Sequence, residues 1–154
     1  GGAASQLHLI SQTAVIINGL IELKGGNGGN GSGGRPGGGG ASGGIDFEFA
    51  PSLSGSGTRT LTGGSPGTGE TGMQSGATGV LIQVQDYPNL PLLGECEFRM
   101  PELVAAARAN GNHLFITNIR EYLAAMPEPS NFHQSKDSSP VAVLNRRRKY
   151  AHVA

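Results

Sequence analysis

Asp46 and Glu48 are the residues of this chain whose type and spacing could do chemistry. They alternate with Ile45, Phe47 and Phe49, so on an extended strand both carboxylates leave the same face. Two acids so placed can present an acid and a base for polysaccharide cleavage, or bind calcium. The alternation puts them on a solvated outward face, where contact with a polysaccharide is the role open to them. Catalysis would require further acids or bases above and below, and the matching positions carry His8, Ile10, Leu81 and Gln83 instead.

Other chemistry is thinner. His8, His113, His133 and His152 fall in separate segments without ligand spacing, so no metal site is expected. Cys96 is the single cysteine, which excludes an intrachain disulfide and a cysteine-based zinc site; Gly94-Glu95-Cys96-Glu97-Phe98 reads as a strand. Gly26-Asn27-Gly28-Gly29-Asn30-Gly31 fits a dinucleotide-binding spacing, but no helix start follows to receive a pyrophosphate. Gly40-Ala41-Ser42-Gly43-Gly44 and Gly63-Gly64-Ser65-Pro66-Gly67 match a nucleophile elbow in spacing alone. The reading is therefore of a protein without enzymatic activity and without a cofactor.

The elements that must carry these residues follow a repeat. Residues 7–26 lie over residues 45–64 at a period of 38, and a shorter third copy starts at Val80-Leu81-Ile82-Gln83-Val84. Periods of this size mark stacked supersecondary units. Leu7 and Leu9, Val15 and Ile17, Ile21 and Leu23 are short alternating runs, answered by Ile45, Phe47 and Phe49, then Leu53, then Leu61, which predicts about three strands per repeat. One position breaks the pattern: Arg59 stands where the first copy has Ile21. A chain that opens inside a repeat without Met is expected to be a piece of something longer, or a processed product.

Of the 27 glycines, 25 precede Val80. Residues 25–44 would form a long loop, and glycine triplets let extended segments pack backbone on backbone in a polyproline-II-like array. Asn27 and Asn30, three apart, suit such a threefold helix. This cadence of strand, turn, strand and glycine run over residues 1–85 resembles the glycine-rich parallel β-helix segments of bacterial surface proteins, phage tail fibres and other extracellular fibres. The resemblance implies a structural or adhesive role. The expected fold is all-β, a glycine-rich parallel β-solenoid of about three stacked repeats, with Leu9, Phe47 and Ile82 in one interior column. A β-sandwich or jelly roll with long glycine-rich loops is the alternative.

Beyond residue 85 the composition changes. A strand is expected over residues 97–100, a helix over 101–110, a strand over 113–117, and a helix over 119–126 opened by the capping pair Asn118 and Glu121. Residues 86–128 would form an α+β cap on the end of the solenoid, and residues 129–154 an extended arm. In that arm Val141, Ala142, Val143 and Leu144 make a β-prone run, and Arg146, Arg147, Arg148 and Lys149 a basic one. The run is expected to add to an open strand edge of another copy.

Formal net charge is zero, from 11 basic and 11 acidic residues, which gives no general pull toward nucleic acid. No stretch is apolar enough to span a bilayer as a helix. The expected function is a structural or adhesive part of an extracellular fibre, surface appendage or virion tail. Its partners would be copies of itself in a filament, ring or trimer, and a polysaccharide or surface receptor. A carbohydrate-active or carbohydrate-binding module is the alternative.

Overall fold

The computed structural model describes residues 2, 5–69 and 73–127. Its largest sheet has four strands in the order β1 (Gln6–Ile10), β4 (Ile45–Ala50), β7 (Val80–Gln85) and β8 (His113–Ile116), all parallel. The remaining strands are short. β2 (Val15–Ile16) pairs with β5 (Leu53–Ser54), and β3 (Leu20–Glu22) pairs with β6 (Thr58–Thr60), again in parallel. Each of the first two repeats thus contributes three strands, and each strand lies beside its counterpart in the next copy.

Between β7 and β8 the chain crosses over through α1 (Leu90–Phe98) and α2 (Met100–Ala109), and α3 (Ile119–Ala125) follows β8. The Asn89 side chain caps α1 by accepting from the Leu92 N–H at 3.0 Å, and Asn118 caps α3 by accepting from Glu121 at 3.1 Å. Asp86 reaches the same helix start, its Oδ2 accepting from the Ile119 N–H at 3.0 Å. Asn112 takes a left-handed conformation (φ 69°) in the tight turn from α2 into β8.

The three helices cover one face of the large sheet. Phe47, Phe49, Ile82, Val84, Leu114 and Ile116 pack there against Cys96, Leu103, Ala107, Ile119 and Leu123. Each large apolar side chain so buried contributes about 1.5–3 kcal/mol, which makes this helix-covered layer the main source of stability.

These observations correct the expected fold. Helix accounts for 21% and strand for 26% of the described residues, and the helices build the core, so the protein is mixed α/β. The strands form three separate parallel sheets, not a closed solenoid. Uniformly parallel pairing also removes the antiparallel sandwich or jelly roll. The physical reason lies in residues 86–126. They lie across the sheet and add a fourth strand to it, whereas the all-β reading set them at its end as a cap. Residues 97–100, expected as a strand, belong to the helical crossover, and Cys96 is buried on α1.

Register differs by one residue in one place. The offset between copies is 38 along β2–β5 and β3–β6, but 39 along β1–β4, where His8 lies beside Phe47 and Leu9 beside Glu48. The turn after β1 is one residue longer than its counterpart after β4, which a gapless alignment cannot show. Phe47 does lie beside Ile82.

The glycine-rich stretches are ordered by their backbones. The N–H groups of Gly25, Gly28 and Gly31 donate to the carbonyls of Thr62, Ser65 and Thr68, one bond at every third residue. The returning segment is tied back the same way, with Gly38, Ala41 and Gly44 donating to Gly29, Gly26 and Leu23. Hydrogen bonds between segments at every third residue are the pattern of threefold extended helices packed side by side. A methyl group at Gly28 would strike the carbonyl of Gly38, and one at Gly67 the carbonyl of Gly29. Asn27 and Asn30 join in through their side chains, each Oδ1 accepting at 2.9 Å from the N–H of Ser65 and Thr68 respectively.

Candidate functional site: a buried ionic rung

Strand alternation sends Phe47 and Phe49 toward the helices and Asp46 and Glu48 to the opposite face of β4. That face was expected to be solvated. Both carboxylates are instead fully buried, because the chain turns after β4 and brings β6 back over them. Arg59 of β6 donates from Nε and Nη2 to Glu48 Oε1 at 2.7 and 2.5 Å, and its Nε lies 3.4 Å from Asp46 Oδ2. Glu48 Oε2 accepts from Gln83 Nε2 at 2.7 Å. With its amide nitrogen committed to Glu48, Gln83 presents Oε1 to His113 Nε2 at 2.8 Å, so that imidazole nitrogen carries the proton. A chain of contacts thus runs from buried Glu48 to exposed His113 on β8.

The two acids are not equivalent. Glu48 accepts three hydrogen bonds, two from Arg59 and one from Gln83, while neither oxygen of Asp46 accepts one. Burial and the neighbouring Glu48 raise the Asp46 carboxyl against the opposing pull of Arg59, from 3.8 to about 6. A carboxyl raised to about 6 beside a second carboxyl has the ingredients of an acid–base pair. What it lacks is access, since both groups are closed off from solvent and a sugar has no oxygen of theirs to touch in this arrangement.

Comparison of the stacked copies shows what the rung replaces. Leu7, Leu9 and Ile21 of the first repeat pair with Asp46, Glu48 and Arg59 of the second. An apolar trio in one layer is exchanged as a set for two acids and one base in the next. The mismatch of Arg59 with Ile21 therefore has its partners thirteen and eleven residues upstream. Buried ion pairs add little net stability over apolar residues of the same volume, and their best-attested use is to fix register. Here a one-residue slip of β4 would turn both carboxylates toward Met100 and Leu103 and expel Phe47 and Phe49.

The remaining expected sites lie elsewhere. The dinucleotide-like and elbow-like glycine motifs fall within the hydrogen-bonded glycine segments, with no helix following them. Val141, Ala142, Val143, Leu144, Arg146, Arg147, Arg148 and Lys149 lie outside the described residues. Among the described residues no helix is long and apolar enough to cross a membrane.

Fold and site together define a mixed α/β domain that carries a glycine bundle and, in its second repeat, a buried ionic rung. No protein-family model, curated protein or solved structure matches the chain.

Proposed function

We propose that this protein is a structural or adhesive part of an extracellular fibre, surface appendage or virion tail, and that it associates with copies of itself. The observation that carries the reading is the glycine bundle. Segments running out and back are joined backbone to backbone at every third residue, which stiffens them with almost no apolar core. Such a bundle suits the display of a surface or the transmission of load. It contributes no groups for catalysis, and the acid pair is spent internally on Arg59.

A second reading, carbohydrate binding, is favoured by one feature. Phe115 on β8 is 50% exposed and shares its sheet face with Gln83 and His113, a flat ring beside polar groups on which a sugar could stack. Electron microscopy and sedimentation of the intact protein over a range of concentrations test the first reading, since a protein that stays monomeric throughout would refute it. Oligosaccharide array binding that is lost on Phe115→Ala would favour the second.

A further inference from the structure

β1 closes one end of the large sheet, and its outer edge has no partner among the described residues. Ser11 donates its N–H to Phe49 and the Ser5 carbonyl accepts from Ile45, so odd-numbered residues face β4. Gln6, His8 and Ile10 therefore turn their N–H and C=O groups to the open side. Ile10 is 44% exposed there, and Leu7 and Leu9 are only half covered. An open edge with apolar side chains invites another strand. One acid stands beside this strand: Glu97 of α1, with a 60% exposed side chain, comes within 3.9 Å of His8 Nδ1, while Arg108 of α2 lines a cavity with Gln6 at the strand's start.

We propose that the open edge of β1 is the docking site for residues 140–149 of a second copy of this chain. This rests on the self-association proposed above and names the surface that carries it. Val141, Ala142, Val143 and Leu144 suit a strand in length and type, and Pro140 stands at its start, where a missing N–H costs no ladder bond. Arg146, Arg147, Arg148 and Lys149 follow after Asn145 and complement Glu97. Pro140 lies thirteen positions beyond Pro127, a reach of about 45 Å when extended. The run between them, Ser130 to Ser139, is polar apart from Phe132. The other sheet edge, β8, offers a shorter strand, and its His113 is already engaged by Gln83.

Disulfide trapping between mixed chains tests this. Cys96 is buried and its thiol is pushed up to about 12, so it stays silent in exchange. Full-length Val143→Cys is mixed under mild oxidant with Gln6→Cys or Ile10→Cys, at the two ends of β1, and with Phe115→Cys on β8 as control. The expected product is a mixed dimer at either β1 position, in several-fold excess over the Phe115 control, and reduced by Glu97→Lys at low salt. Equal or better trapping at Phe115 would overturn the assignment, as would a link formed inside one chain when Ile10→Cys and Val143→Cys share it. Multimers in sedimentation without trapping at β1 would overturn this contact and leave self-association standing. Monomers without trapping would overturn both.

Discussion

Replacing Arg59 by Ile copies into the second repeat the residue that the first carries at the paired position, yet it should be among the most damaging single changes in the chain. The guanidinium donates twice to Glu48 and lies 3.4 Å from Asp46. Without it two buried carboxylates confront each other with no cation. Removing one partner of a buried ionic group costs about 3–5 kcal/mol, a large share of the roughly 5–15 kcal/mol that holds a domain folded. Changing the whole rung, Asp46→Leu with Glu48→Leu and Arg59→Ile, reproduces the apolar trio Leu7, Leu9 and Ile21. Gln83, half buried, then loses an acceptor but can turn to water. That variant should match the parent or exceed it by about 1–4 kcal/mol, as ion clusters exchanged for packed apolar groups do. Urea unfolding of the full chain followed by circular dichroism at pH 7 reads both. If the triple variant is as unstable as Arg59→Ile, or if Arg59→Ile lies within about 0.5 kcal/mol of the parent, the rung is not a set of mutually dependent charges.

Asp46 predicts a pH dependence with a definite sign. Its folded value of about 6 exceeds the ordinary 3.8, so between those values the folded state binds more protons and stability falls as pH rises. Each tenfold difference in proton affinity between folded and unfolded chain is worth about 1.4 kcal/mol, which limits the whole change to about 3 kcal/mol. Unfolding curves of parent minus Asp46→Asn should show it between pH 3 and 7. Gly28→Ala should destabilise by about 1–3 kcal/mol as an overpacked contact, whereas Gly29→Ala meets open space and should change thermal unfolding little. Gln83→Leu leaves Glu48 Oε2 without its donor; a loss of about 1–3 kcal/mol in urea unfolding is expected, with little effect from His113→Ala at the exposed end.

Much of the strand layout was legible because apolar alternation and turn residues recur in both copies. The helices of residues 101–110 and 119–126 were legible from Pro101, Gly111 and the Asn118 cap. The start of α1 was missed: Leu90-Pro91-Leu92-Leu93-Gly94 looks like a helix breaker, yet Pro91 sits in the first turn, where its missing N–H has no helical partner in any case. Asp46 and Glu48 were correctly placed on one face, but whether that face meets water depends on β6 folding back over it, which no local pattern encodes. The mismatch of Arg59 with Ile21 was visible. Reading it together with the replacement of Leu7 and Leu9 by acids required the 39-residue offset of β1 and β4.

The glycine bundle also bears on how freely this sequence can change. In a threefold packed segment one position in three faces a neighbouring backbone and must stay without a side chain, as at Gly25, Gly28 and Gly31. Asn27 and Asn30 between them are tied by their side chains to the next segment, but Gly29 meets open space, and backbone hydrogen bonds are indifferent to residue type. Substitutions at such open positions can accumulate without loosening the body beneath, much as lettering can be changed on a sign while the post stands. Around the turn at Gly33 and Gly34, Ser32, Arg35 and Pro36 are exposed in this way. A population of such chains could diversify the outward lettering quickly while the positions of its glycines stayed fixed.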